Sequence, residues 1–403
     1  MKYLFAHQYF HPDLSAVSQV ISQIAFSVAA GGDKVSVICS RNRYDAGGGN
    51  PLPIKEQIDG VEIHRCWGPN FGKRSLPGRV LDMSSFCLIA GGKLLFAPRV
   101  DTVLFLTNPP FFSILGTWLQ KIKKERFVYV LMDIYPDIAI QGGVLREEGW
   151  AARALRRLAR FPLKKADAVV VLGEDMKEVA IRQGAPANRV NIIRNWADPE
   201  RIFPVPPEEN GLRAKWGLEG KFVIAYSGNF GVSHEFEDLL SVAEELASDD
   251  DIRFLLIGNG VRRPEVEKII AARKLSNMIL QSYQDASLLY ESLSAGDVHY
   301  VSLKKGFESL VVPSKAYGAM AAGRPIVYQG METGEIARMI EKEEIGFVVP
   351  PGDRKKLRER ILELRLNPAL RKSQGERARK ALEERYSAGI GLALYRKVLA
   401  GEV

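Results

Sequence analysis

The chain has 403 residues, 46% hydrophobic and 26% charged, which is enough for two globular domains and excludes a disordered chain. Three cysteines without metal or redox spacing (Cys39, Cys66, Cys87) exclude a disulfide scaffold and argue for a reducing cytoplasm, and no stretch reaches the ~20 apolar residues of a membrane span. The net charge of +8 is lopsided, with 27 Lys/Arg against 19 Asp/Glu in residues 1–203 and 29 of each in 204–403, so the basic half suits an anionic partner such as nucleic acid or a membrane surface.

The opening MKYLFAHQYF lacks the apolar core and cleavage site of a signal peptide. Tyr3–Ala6 reads as a buried strand, His7–Ser18 as a loop, Gln19–Ala30 as a helix and Lys34–Ile38 as a second strand. This is a β-α-β unit with a long first loop, and such loops open at the carboxyl ends of strands, where ligands bind. Cys39 falls in the second strand as a buried residue. The Gly/Pro-rich stretch 44–60 reads as a loop, Val61–Cys66 as a strand with His64 on an exposed face, and 79–95 as a helix.

Asp101–Thr107 reads as a strand, Phe111–Lys124 as a helix ending in the basic cluster Lys121, Lys123, Lys124 and Arg126, and Phe127–Leu131 as a strand running into Met132-Asp133. In Trp150–Phe161, Arg153, Arg156, Arg157, Arg160 and Lys164 recur at helical spacing, with Ala154, Leu155, Leu158 and Phe161 expected on the opposite face. That pattern fits either a solvated helix packed on the core or a basic stripe facing a membrane. A strand at 166–172, a helix ending near Gly184 and a strand from Val190 follow. The prolines at 199, 204, 206 and 207 mark a linker, with the domain boundary placed near 204.

The second half restarts the same grammar. The strand Phe222–Tyr226 leads into Ser227-Gly228-Asn229-Phe230-Gly231-Val232-Ser233-His234 and a helix over 237–247. Glycines after a strand let backbone approach a diphosphate, although a lone pair is a weak signal. Arg253–Ile257 is a strand ending in Gly258-Asn259-Gly260, Met278–Leu280 a strand ending in Gln281-Ser282-Tyr283, Ala286–Ala295 a helix and Val298–Ser302 a strand. The run Ser248–Asp251 resembles a metal-binding Asp-x-Asp, but it precedes a strand and reads as a solvated turn. Residues 355–380 are expected to be helical and 388–399 to form the last helix.

Between these lies GFESLVVPSKAYGAMAAGRPIV, residues 306–327. Ser314 is placed as an N-cap, Lys315–Ala322 as a short helix, Gly323-Arg324-Pro325 as its stop and Ile326–Tyr328 as a strand. Unpaired N–H groups at a helix start, with Lys315 adding a full charge, make a phosphate site. The alternative is an ordinary loop-to-helix junction.

This stretch resembles the nucleotide-sugar motif of retaining GT-B glycosyltransferases of family four, in the subgroup that makes capsules, O-antigens and exopolysaccharides. The resemblance covers the whole chain in order. It implies an α/β chain of GT-B fold, with two Rossmann-like doubly wound domains facing across a cleft: residues 1–203 on the acceptor side, residues 204–385 binding the nucleotide sugar, and a helix over about 386–403 packing back on the first domain. It implies donor diphosphate contacts from Gly228, Asn229, Gly231, His234, Ser314 and Lys315, further donor contacts from Pro313, Tyr317 and, toward the transferred sugar by a shifted loop, Glu308, and base contacts from Gly258, Asn259, Gly260, Ser282 and Tyr283. The loop holding Asp13, Ser15 and Ala16 would lie on the acceptor side. His234 is equally readable as a polar helix-start residue.

Several positions depart from the family pattern. Ser15-Ala16 replace a Gly-Gly, Asn229 and His234 replace an Arg and a Lys, and Met132 replaces a His before Asp133. The paired glutamates align near Leu310 and with Gly318, leaving Glu308 as the nearest acid and ribose recognition in question. Asp133 and Lys315 are the catalytic candidates: a carboxylate that orients the acceptor or takes its proton, and a cation for the leaving diphosphate. No metal and no cofactor are expected, since Lys315 and helix dipoles supply the charge. The implied partners are a nucleotide sugar, UDP-linked by preference, a saccharide or lipid-linked acceptor and an anionic membrane surface, with no nucleic acid. The expected function is retaining sugar transfer in surface polysaccharide synthesis, in the cytoplasm or on the inner membrane face. The alternatives are a sugar-nucleotide epimerase of GT-B shape or an inactive, donor-binding partner subunit.

Overall fold

A computed structural model describes residues 1–13, 15–43, 52–71 and 76–403. The chain divides into two compact units: Met1–Ile193 with Leu392–Val403, and Arg194–Gly391. Residues 44–51 of the Gly/Pro-rich stretch lie outside the described residues.

The first unit holds eight strands: β1 (Lys2–Ala6), β2 (Lys34–Ser40), β3 (Lys55–Ile58), β4 (Val61–Cys66), β5 (Thr102–Leu106), β6 (Arg126–Val130), β7 (Ala168–Val171) and β8 (Val190–Ile192). Their order is β3-β4-β2-β1-β5-β6-β7-β8, and every pair is parallel except β3 with β4. Strands such as Thr102–Leu106 are buried along their whole length, as a parallel sheet covered on both faces requires. The β3 strand corrects the reading of 52–58 as loop. Its sequence Lys-Glu-Gln-Ile is too polar to show strand patterning. It is an edge strand, held where Glu56 pairs with the buried guanidinium of Arg65 on β4. On the same strand, His64 is half-buried and paired with Glu62 at 3.2 Å.

From β1 the chain steps to β2 on one side, whereas β5, β6 and β7 follow on the other. Right-handed crossovers therefore put the helices Leu76–Phe96, Ile114–Lys123 and Trp150–Lys165 on one face of the sheet. The last of these corrects an expectation. Its buried residues are Ala152, Ala159, Pro162 and Leu163, while Leu158 and Phe161, expected to pack inward, are exposed beside the arginines. The small residues lie on the inner side, where the helix packs against Ile114–Lys123, and the large ones are left outside.

The second unit holds β9 (Phe222–Ser227), β10 (Ile252–Ile257), β11 (Met278–Gln281), β12 (Val298–Ser302), β13 (Ile326–Gln329) and β14 (Gly346–Val349). Their order is β11-β10-β9-β12-β13-β14, all parallel. Residues 355–380 are helical, as expected, and divide into two helices, Arg354–Leu366 and Pro368–Arg385. Asn367 ends one and caps the other, its side chain accepting from the N–H of Leu370. Ser248–Asp251 is a turn, as read, with Asp249 and Asp251 facing Arg365. No helix among the described residues is long and apolar enough to cross a membrane.

Candidate active site

Both sheets are doubly wound, and in each the chain reverses its direction of travel at one point: between β1 and β5, and between β9 and β12. The loops leaving the carboxyl ends of such neighbours splay apart and leave a crevice. In the second unit those loops are 228–236 after β9 and 303–314 after β12, with 258–262 after β10 beside them.

The first two carboxyl-end loops of this unit meet backbone to backbone. Gly228 has φ 145° and Gly258 φ 137°, and a Cβ added to Gly258 would lie 2.0 Å from the Gly228 carbonyl oxygen. Only glycine fits there. Beside it the N–H of Phe230 donates to the Asn259 carbonyl at 2.8 Å, and a Cβ on Gly260 would lie 2.5 Å from Asn229 Oδ1. Gly231 completes the loop without a left-handed φ. Beneath the loop, Phe230 stacks on Phe236 with centroids 5.0 Å apart, and the Tyr226 ring meets both edge-on. The Tyr226 hydroxyl donates to the Asn229 carbonyl at 2.6 Å. The loop is thus bolted to the core by aromatic packing and one partly buried hydrogen bond.

Lys315 opens the helix Lys315–Ala321 and reaches across to this loop. Its Cε lies 3.0 Å from where a Gly228 Cβ would be, its Nζ is 5.0 Å from the Tyr226 ring centre, and its Nζ is 2.8 Å from His234 Nε2. Part of the side chain is accessible, but the amine is packed among these groups, and burial lowers its pKa to about 7. That corrects the expectation of a full charge: near neutrality this amine is poised between its two forms. Ser314 occupies the N-cap position but has helical φ and ψ, and its side chain makes no capping bond, so the cation is the main anion-attracting group here.

His234 is buried, and burial followed by the nearby Lys315 charge holds its pKa well below the ordinary value. Its Nδ1 lies 2.7 Å from the Ser302 carbonyl, so a neutral ring donates there and leaves Nε2 to accept from Lys315. The imidazole is therefore engaged by Lys315 and by β12, and acts on that amine rather than as a helix-start residue.

The other donor-side candidates fall around this centre unevenly. Pro313 is buried at the loop end before Ser314. Glu308 is pinned to its own loop: Oε2 accepts from the N–H of Gly306 at 2.8 Å, and Oε1 is buried without a partner. Tyr317 is fully buried, its ring edge-on to Tyr386 at 5.8 Å, so direct contact with a ligand does not fit its placement; it supports the helix instead. Asn259 folds its Oδ1 onto the N–H of Gly260. Ser282 and Tyr283 follow β11 and are exposed.

Three residues escaped the sequence reading. Arg262 donates to the His234 carbonyl and lies 5.6 Å from the Phe236 ring centre. Arg263 donates to the carbonyls of Gly258 and Gln281. Glu335 opens the helix after β13, paired with Arg194 at 2.6 Å and Arg338 at 3.2 Å. Their one signal was position, within a few residues of strands that a glycine follows.

In the first unit, Asp13, Ser15 and Ala16 follow β1. Asp13 is buried, its Oδ1 accepts from the N–H of Ser15 at 2.8 Å, and Ser15 is the N-cap of a helix starting at Ala16. Asp133 follows β6, and burial pushes its pKa up to about 6, toward the range useful to a group that exchanges protons near neutrality. A cavity of about 450 Å³ at the opposite, amino end of the second sheet, beside Asp297 and Pro325, has no comparable chemistry. Its Arg324 and Arg379 are committed to backbone carbonyls. Among the described residues no group of three His, Cys, Asp or Glu could hold a metal.

Comparison with known proteins places this geometry. The Glycosyl transferase 4-like domain matches residues 15–196, and Glycosyl transferases group 1 matches 209–381. The probable glycosyltransferase WbjE of Pseudomonas aeruginosa is 32% identical over 299 residues, 73% of each chain. This chain is a GT-B glycosyltransferase of the family four type. WcaI of Escherichia coli K12, named as a colanic acid biosynthesis glycosyl transferase, is 26% identical to the enzyme over 85% of this chain and 86% of its own. The solved structure of HepE from Anabaena, in complex with UDP-glucose, matches the enzyme's fold with a TM-score of 0.74 at 15% identity, covering all of both chains. The expected GT-B class, with two Rossmann-like doubly wound units, agrees with the sheets and with these neighbours.

Proposed function

We propose that the enzyme transfers a sugar, with retention, from a nucleoside-diphosphate sugar to a saccharide or lipid-linked saccharide in surface polysaccharide synthesis, at the inner membrane face. The observation that carries the reading is the Lys315 amine, aimed at the glycine crossing of Gly228 and Gly258 at the switch point of the second sheet. A diphosphate in that crevice would meet backbone from both glycine loops and draw a proton onto the amine, because a nearby anion favours the charged form. The ammonium then faces the charge that develops on the leaving diphosphate, and being fixed beforehand it costs little reorganisation.

A UDP-linked donor is favoured, in line with the UDP-glucose complex of HepE, and the link to polysaccharide synthesis follows the name of WcaI. Residues 1–193 carry the acceptor, with Asp13, Ser15 and Ala16 at its loop. Asp133 orients the acceptor hydroxyl or takes its proton, and is no nucleophile. The chemistry needs no metal in this reading.

The test is a thermal-shift screen with UDP-, GDP-, dTDP- and ADP-sugars, since a ligand bound only to the folded state stabilises it. A shift with one base, lost in Lys315→Ala, is the expected result. No shift with any of them would overturn the donor site, and a shift with neither transfer nor hydrolysis would point to an inactive, donor-binding partner subunit. Donor turnover without an acceptor would point to an epimerase.

A further inference from the structure

The helices 76–96, 114–123 and 150–165 lie side by side. Leu115 of the middle helix would be 3.2 Å from a Cβ on Gly91 of the first, and its Lys123 donates to the carbonyls of Leu94 and Ala97. On its other side, Gln120 donates to the carbonyl of Lys165. Their outer surface is therefore one continuous face.

That face combines two features that ordinary solvated helices keep apart. It exposes large apolar side chains: Phe96 (91%), Trp150 (80%), Leu88 (79%), Ile122 (61%), Trp118 (54%) and Phe161 (45%). Single exposed apolar residues need no explanation, but a run of them across three adjoining helices does. Interleaved with them are exposed Lys121, Lys124, Arg153, Arg157, Arg160 and Lys164, while the helices 114–123 and 150–165 contain no Asp or Glu. Among the described residues Arg153, Arg157 and Arg160 form no ion pair. On the 150–165 helix, Trp150, Leu158 and Phe161 share the outer side with the arginines, because Ala152, Ala159 and Leu163 take the inner one. The helix is thus not packed on the core through its large apolar side chains.

We propose that this three-helix face docks the enzyme onto an anionic lipid bilayer. Charge complementarity selects the lipid, since Lys and Arg near an anionic leaflet are attracted to it. The apolar side chains select a bilayer over a soluble polyanion: Trp and Phe enter the headgroup boundary while the long basic side chains snorkel to the phosphates. No helix among the described residues is long and apolar enough to cross a membrane, so the face would lie in the membrane plane. The inference deepens the proposed function, on which its supply of a membrane-borne acceptor rests.

The experiment is co-sedimentation of the full chain with vesicles of phosphatidylcholine alone or with about one third phosphatidylglycerol, at about 0.15 M salt. Binding is expected only to the anionic vesicles and should weaken as salt rises. Two variants dissect it, both confined to exposed positions: Trp118→Ser with Phe161→Ser, and Arg153→Gln with Arg157→Gln and Arg160→Gln. The triple charge variant should lose about a hundred-fold in partitioning, at roughly five-fold per basic residue, and the apolar pair should lose at least ten-fold. No binding of the wild type, or wild-type binding by both variants, overturns the proposal. So does a wild-type dimer in light scattering that either variant dissociates, or tighter binding to a DNA duplex than to the vesicles. Donor-induced thermal shifts should stay intact in both variants. If vesicles bind but no nucleotide sugar does, the transferase reading fails and the docking face stands.

Discussion

The two units share a fold plan and treat charge in opposite ways. In the second, basic groups are answered within the unit: Arg365 by Asp249, Arg273 by Glu237, Arg354 by Asp238 and Arg385 by Glu343. The amine it directs at the glycine loops, that of Lys315, is held near neutrality by burial. In the first, a row of arginines on 150–165 is left among exposed aromatics. The difference teaches what each unit is arranged to meet. A crevice with a poised cation suits a small, highly charged ligand, whereas a broad basic and apolar face suits an extended surface.

The largest effects should separate the catalytic loops of the two units. Asp133→Asn should lower transfer by about 10²–10⁴-fold while leaving the donor-induced thermal shift unchanged, and a parallel loss of donor affinity would break the division of labour. Lys315→Ala should cut transfer by about 10²–10³-fold and weaken nucleotide binding in titration calorimetry. Full retention of both would remove Lys315 from the mechanism.

Next in size is a stability effect. Gly258→Ala forces a side chain into a left-handed φ and onto the Gly228 carbonyl, and should cost roughly 3 kcal/mol in urea unfolding. A change under about 1 kcal/mol would mean the crossing is loose rather than fixed.

The pH dependence is a finer probe. Lys315 titrates at about 7 in the folded chain against an ordinary 10.5. Between those values the unfolded chain holds a proton that the folded one lacks, so folding gains stability as pH rises across that window. Binding a diphosphate takes the proton back, and affinity should fall by up to about ten-fold per pH unit above 7. The slope should vanish in Lys315→Met. Asp133, raised from 3.8 to about 6, works the other way: folding loses stability as pH rises from about 4 to 6, and Asp133→Asn should melt higher than wild type at pH 7.5 and equally at low pH.

The smallest effect is expected for His234→Ala. It removes the acceptor on the Lys315 amine, which favours the charged form, so transfer should fall about ten-fold, with the pH profile of binding moved toward lower pH. A loss without movement of the profile would make His234 a packing residue only.

The family, the doubly wound pattern and the two glycine loops were legible in the residues, because buried parallel strands read as unbroken apolar runs and glycine marks the places where backbone must pass close. The strand Lys55–Ile58 was not, since an edge strand of polar residues carries no such pattern. The outward side of Trp150–Lys165 was also hidden. Helical spacing divides a helix into sides, but which side is buried depends on what packs against it, and here that is the helix Ile114–Lys123, met by the small residues. The ionisation of Lys315 and Asp133 belongs to the tertiary structure as well: a pKa is set by what surrounds a group in space, and His234 meets Lys315 from 81 positions away in the chain.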